Sequence, residues 1–133
     1  MAQQKLTAGQ ARRVEEVEAF QRTVAKVRTL LAELESNRAA KTSIVQGICS
    51  HIARELSHMR QRALTANIGT VGDTAGAVAI MATRSGGLNM KLRGIADGLN
   101  SIDIQLDQSL KSALAPEKPK SQAPGKPEDQ APA

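Results

Sequence analysis

The chain has 133 residues, 41% of them apolar, a net charge of +5, and Phe20 as its only aromatic. That length holds one domain, and an apolar set of Ala, Leu, Ile and Val suits thin, elongated helical contacts better than a thick core around large rings. Cys49 is the only cysteine, which excludes an intramolecular disulfide and a multi-cysteine zinc site and fits a reducing compartment.

Residues 1–6 carry no periodicity and are expected to fray. Thr7 and Gln10 then have the T-x-x-Q spacing of a capping box, each side chain satisfying a free backbone N–H at a helix start. Beyond them Val17, Phe20, Val24, Val27, Leu31 and Leu34 recur by three and four, the signature of a helical seam. Val14 and Leu30 widen it, as in a helix that touches more than one neighbour. Glu18 and Arg22 are placed for an i,i+4 pair worth about 0.3 kcal/mol. The next positions in the frame are Arg38 and Lys41, so a turn is predicted within 36–43; an unbroken helix is the alternative, because no breaker occurs there.

Ser43 and Gln46 repeat the capping-box spacing just before Val45, Ile48, Ile52, Leu56, Met59 and Ala63, a second helical face. Past Leu64 the residues become small, with Gly69, Gly72 and Gly76 among Thr, Ala and Val. A glycine inside a helix costs about 1 kcal/mol relative to alanine, so a helix here must gain from close approach of a neighbouring backbone. Ile68, Val71, Ala75, Val78 and Ala82 keep the helical spacing. Residues 66–84 therefore read as a tightly packed helix or a kinked continuation of the second one. Gly86 and Gly87, after Ser85, break the pattern.

The last helix has the strongest pattern. Leu92, Leu99 and Leu106 fall at heptad a and Leu88, Ile95 and Ile102 at d, with Leu110 and Leu114 continuing the face. In parallel coiled coils that order favours three or four strands over two. One helix cannot cover such a seam alone. From Pro116 onward five prolines occur and no apolar residue exceeds alanine, the composition of a disordered tail. The expected fold is all-α: an elongated helical hairpin or bundle with coiled-coil seams over 7–115, in segments 7–40, 43–84 and 88–115, followed by a tail over 116–133.

Function is less legible. No run of roughly 18 apolar residues is present and the opening residues begin no apolar stretch, so a soluble, intracellular protein without a spanning helix is expected. The positive charge concentrates in 36–62, where Arg38, Lys41, Arg54, Arg60 and Arg62 face one acid, Glu55, for a local +4. Such a band can contact phosphates, although it lacks aromatics for base stacking and any known DNA-reading pattern. Glu55 and His58 form one E-x-x-H, with His51 four residues before Glu55; a di-metal bundle needs two such pairs and further inward carboxylates, so no metal or cofactor is expected. Cys49 and His51 are two residues apart and point to different sides of a helix, which argues against a nucleophile and base. The spacings Gly72–Gly76 and Gly94–Gly98 allow helices to cross closely.

The expectation is a non-enzymatic structural subunit. It would associate through its seams (Val17, Phe20, Val24, Val27, Leu31 and Leu34 in the first helix; Leu88, Leu92, Ile95, Leu99, Ile102 and Leu106 in the last) with itself or with other helical proteins in a multi-protein complex. Two alternatives use the basic band instead: a nucleic-acid-associated protein, or a peripheral adaptor on an acidic membrane or protein surface.

Overall fold

The computed structural model describes residues 6–84 and 86–115. The expected tail over 116–133 and most of the expected N-terminal fraying lie outside the described residues. Four helices are present among them: α1 (Ala8–Ser36), α2 (Thr42–Thr65), α3 (Gly69–Thr83) and α4 (Leu88–Leu114). The all-α bundle expected from periodicity is what the chain forms.

α1 begins with the capping box expected at Thr7. The Gln10 backbone N–H donates to the Thr7 hydroxyl at 3.0 Å, and the Thr7 N–H donates to the Gln10 side-chain carbonyl at 2.9 Å. The helix ends at Ser36, where Asn37 returns its side-chain amide to the Glu33 carbonyl at 2.7 Å. The turn predicted in 36–43 is therefore real. The second capping box is not: α2 starts one residue before Ser43, with Lys41 as its N-cap and no side-chain cap. The Lys41 carbonyl already accepts from the N–H groups of Ile44 and Val45, which leaves Ser43 inside the first turn, where it has no cap to make. Nor do Glu18 and Arg22 pair. On α1 the ion pairs are Arg13 with Glu16 at 3.4 Å, Glu35 with Arg38 in the following turn, and contacts to other helices, as expected where an exposed pair gains too little to fix two long side chains.

The single segment expected over 43–84 is two helices folded back on each other. Asn67 adopts the left-handed conformation, φ +64°. Around it the Ile68 N–H donates to the Ala63 carbonyl at 2.8 Å and the Asn67 N–H to the Leu64 carbonyl at 3.3 Å. This is a Schellman stop, in which the reversed residue lets the last carbonyls of a helix find donors. Asparagine tolerates that backbone better than other residues with a Cβ, except for its near neighbours Asp and His. Ile68 then buries against the core, 6% exposed, and pins the reversal. The other sharp connection uses Gly86 at φ +153°, which a residue with a side chain rarely adopts.

Cross-helix contacts fix the topology. Lys26 meets Glu55 and Arg13 reaches the Ala66 carbonyl, so α1 and α2 are antiparallel. Arg28 bonds Asp103 while Gln10 reaches the Ala115 carbonyl, so α1 and α4 are antiparallel too. Thr74 with Gln105, and Val78 lying over Gly98, set α3 against α4 in the same sense. The result is an up-down-up-down four-helix bundle in ring order α1–α2–α3–α4, with no close backbone approach across the diagonals.

The core is a column of aliphatic layers. α1 contributes Val17, Phe20, Val24, Val27, Leu30 and Leu34, α2 contributes Cys49, Ile52, Leu56, Met59 and Ala63, and α4 contributes Ile95, Leu99, Ile102 and Leu106. Each large side chain so buried contributes about 1.5–3 kcal/mol. α3 gives only Val71 and Val78 besides Gly72, Ala75, Ala79 and Ala82. Its neighbours come in close as a result: a Cβ built on Gly72 lies 3.3 Å from the Arg60 carbonyl and 3.4 Å from the Ala63 Cβ, and one on Gly98 overlaps Val78. At about 1.5 Å per residue α3 spans roughly 22 Å, against roughly 43 Å for α1. The bundle has three long helices and one short, thin one.

Candidate functional site

The seams singled out from the sequence are covered by the chain itself. Val17, Phe20, Val24, Val27 and Leu34 are buried, as are Ile95, Leu99, Ile102 and Leu106, while Leu31, Leu88, Leu92 and Leu110 are partly buried against the same core. Leu114, at the end of the heptad face, stands 47% exposed. α1 and α3 supply the neighbours that the α4 seam requires. These positions hold the bundle together and present no free apolar strip to another molecule. A 3.5-residue repeat says that a helix needs neighbours and is silent on whose they are.

The basic band does not form one patch either. Arg38, beyond the end of α1, bonds Asn89 and lies 3.9 Å from Glu35. Lys41 caps α2 and is exposed. Arg62 turns toward α1 and stacks 5.5 Å above the Phe20 ring, a cation–π contact worth about 0.5–1 kcal/mol. Arg54 and Arg60 turn toward α3. Residues on a helix rotate by about 100° each, so a band that is compact in sequence fans out around the cylinder.

Glu55, the acid inside the band, serves the fold. It accepts from the Lys26 ammonium at 2.8 Å, and His51 Nε2 stands 3.6 Å from the same carboxylate oxygen. The hydrogen bond from Lys26 holds the Glu55 carboxyl below its ordinary value, partial burial opposes that, and the charges of Lys26, His51 and His58 add to the lowering. Among the described residues no three His, Cys, Asp or Glu side chains converge. Cys49 is 3% exposed, packed within the core cluster.

One surface stands out: the groove between α2 and α3, about 840 Å³ in volume. From α2 it is lined by Ser50, Ala53, Arg54, Ser57 and Arg60, and from α3 by Asp73, Gly76, Ala77, Ala79, Ile80 and Thr83. Small residues on both walls make it wide. Gly76 shapes its floor, since a Cβ there would lie 2.8 Å from Arg60 Cδ; without one, the Arg60 stem rests flat across α3. Arg54, Arg60 and Asp73 have no ion-pair partner within 4.0 Å among the described residues, where none of the six ion pairs includes them.

The outer face of α3 is unusual for a surface helix. α3 carries one charged residue, Asp73, in its 15 residues, and its exposed face presents Ala77 and Ile80, the latter 58% exposed. A helix that is apolar on nearly all sides belongs inside something. Ile80 lies off the three/four frame of Ile68, Val71, Ala75, Val78 and Ala82, which is how sequence reasoning passed over it. The available signal was composition: with a single charge among many small apolar residues in 69–83, some of the apolar ones had to fall on the side facing away from the core.

No family model, curated protein or solved structure matches this chain. The class is defined by the fold and the surface alone: a four-helix bundle whose short third helix leaves a small-residue groove, edged by unpaired charges, open to solvent. No helix among the described residues is long and apolar enough to cross a membrane.

Proposed function

We propose that the protein is a non-enzymatic assembly subunit that docks a helical partner on its α2–α3 face. The seams are spent on the chain's own core, and this face is the groove that sets exposed apolar residues beside charges without an ion-pair partner. The observation that carries the reading is the outer side of α3, where Ala77 and Ile80 sit in water beside Arg54 and Arg60. Covering Ile80 gains up to about 2 kcal/mol from burial, and the two guanidinium groups supply orientation and selectivity at the rim. The lone thiol, Cys49, held in the core, suits work in a reducing compartment inside the cell.

The test compares two exposed isoleucines. Ile80→Asp, in the groove, is expected to abolish the higher-mass complex trapped by chemical cross-linking inside the protein's own cells before lysis, leaving the chain at monomer mass on a denaturing gel. Ile104→Asp, on the outward side of α4 and 60% exposed, is expected to leave it intact. Equal masses for wild type and both variants would remove the reading. Nucleic acid, the other class raised by the basic band, predicts instead a steep loss of affinity with salt that depends on Arg54 and Arg60 together with Arg38 and Lys41. The fan-shaped spread of those side chains weighs against a continuous phosphate track.

A further inference from the structure

We infer that the occupant of the α2–α3 face is a second copy of this chain, docked α3 against α3 in antiparallel sense about a two-fold axis near Ala77. This deepens the assembly reading and rests on it.

Charge and register together select this occupant. α2 and α3 are antiparallel, with Gly72 beside Ala63 and Gly76 beside Arg60. Following that register back along α2 puts Arg54 level with the end of α3, in keeping with its sharing the groove with Ile80 and Thr83. Asp73 stands at the opposite end of the same face. A two-fold axis through Ala77 carries Asp73 of one copy to the level of Met81 on the other, which is the level of Arg54. The symmetric operation makes the same pair a second time, as an isologous interface requires. Each Ile80 is carried to the level of Thr74 in the other copy, whose hydroxyl is engaged by Gln105 on α4, and beside Gly76, over which the Arg60 stem forms the wall.

A uniformly acidic partner helix would satisfy Arg54 and Arg60 but set its acids against Asp73, and a basic one would do the reverse. Self-association satisfies both signs. The face measures roughly 22 Å by two helix widths, on the order of 450 Å² per copy in projection. That lies at the small end of specific interfaces and sets the expectation of a weak, reversible dimer, with Kd on the order of 10–100 µM.

The experiment is sedimentation equilibrium on the full chain from about 10 µM to about 1 mM, spanning the expected Kd. The wild type is expected to shift from monomer to dimer across that range. Asp73→Arg and Arg54→Asp each bring like charges together across the axis and are expected to weaken the dimer about tenfold or more. Mixing the two variants pairs the introduced arginine of one chain with the introduced aspartate of the other, and at the symmetric contact it pairs a native Arg54 with a native Asp73. A one-to-one heterodimer of near wild-type affinity is therefore expected. The doubly substituted chain should likewise recover its homodimer. Far-UV circular dichroism on each variant separates lost association from lost fold, and all three changed chains are expected to keep wild-type helicity because both side chains are exposed.

A wild-type chain that remains monomeric to about 1 mM, well above the expected Kd, overturns the inference. So does a dimer that ignores both charge reversals and gains nothing from mixing them. If the monomeric outcome is accompanied by an Ile80-dependent complex of higher mass in cells, the face belongs to a different protein and the assembly reading stands; without such a complex, both fall.

Discussion

α3 and α4 lie side by side in the bundle, and they use apolar residues in opposite ways. α4 concentrates Ile95, Leu99, Ile102 and Leu106 on one face, all fully buried, and turns a mostly polar side outward, with Ile104 exposed along its length and Met90 and Leu114 exposed near its ends. α3 has small apolar residues on nearly every side, buries half of them and leaves Ala77 and Ile80 in water. The strongly patterned helix has its seam covered within its own chain. The weakly patterned one is left with apolar surface over. In a bundle that closes on itself, amphipathic strength marks a helix with a seam to bury, while a poorly patterned helix puts small apolar residues on both its inner and its outer side.

The largest expected effect breaks this contrast at α4. Leu99→Asp places an unpaired charge among fully buried neighbours and is expected to cost roughly 4 kcal/mol or more, enough to abolish the cooperative thermal transition seen by far-UV circular dichroism. The matching change on α3, Ile80→Asp, is expected to move stability by no more than about 0.5 kcal/mol in a denaturant titration while association is lost. A severe loss of stability at Ile80 would erase the distinction between the two helices.

A finer comparison uses the contact between them. A Cβ at Gly98 overlaps Val78, a stiff β-branched side chain in the core, whereas at Gly94 it meets the sulfur end of Met81, which has other rotamers to adopt. Gly98→Ala is expected to destabilise by about 1–3 kcal/mol. Gly94→Ala should be near neutral, with the gain in helix propensity, up to about 1 kcal/mol, offsetting the Met81 shift. Urea midpoints of the two variants measure the difference, and equal losses would mean that α3 and α4 do not meet in this register.

The reversal that places α3 comes next. Asn67→Val forces a β-branched residue into the left-handed conformation and is expected to cost about 1–2 kcal/mol, while Asn67→Gly should be neutral or slightly stabilising. Thermal melts of the pair test whether α3 owes its position to that single backbone angle. The smallest effect lies away from both helices, at Glu55. Its folded-state pKa is lowered, so the stability it contributes is fully present above its ordinary value of 4.5 and is lost as pH falls through the lower folded value. Lys26→Ala is expected to flatten that part of the stability-pH profile, which for this partly exposed pair is worth no more than about 1 kcal/mol.

Residue pattern alone was enough for the helical class, the start of α1 at Thr7, the break at Gly86–Gly87 and nearly all of the core, because a 3.6-residue period and local capping chemistry are written into neighbouring residues, whereas the turn after Ser36 was favoured over an unbroken helix without being decided. The closeness at Gly72 and Gly98 was also legible, since glycine in a helix has to be compensated by something packed against it. Three local features were missed or misplaced: Asn67 as a helix stop, whose neighbours keep the helical spacing on both sides; Ser43 as a cap, where the backbone entered the helix two residues early; and the Glu18–Arg22 pair, which does not form. What covers the seams emerged only from packing, since a heptad records the need for a neighbour and carries no address for it. The same holds for the division of Arg38, Lys41, Arg54, Arg60 and Arg62 among different faces, and for the groove beside Ile80. Rotation along α2 and the shortness of α3 set those relations, and both become defined only when four helices are packed around one core.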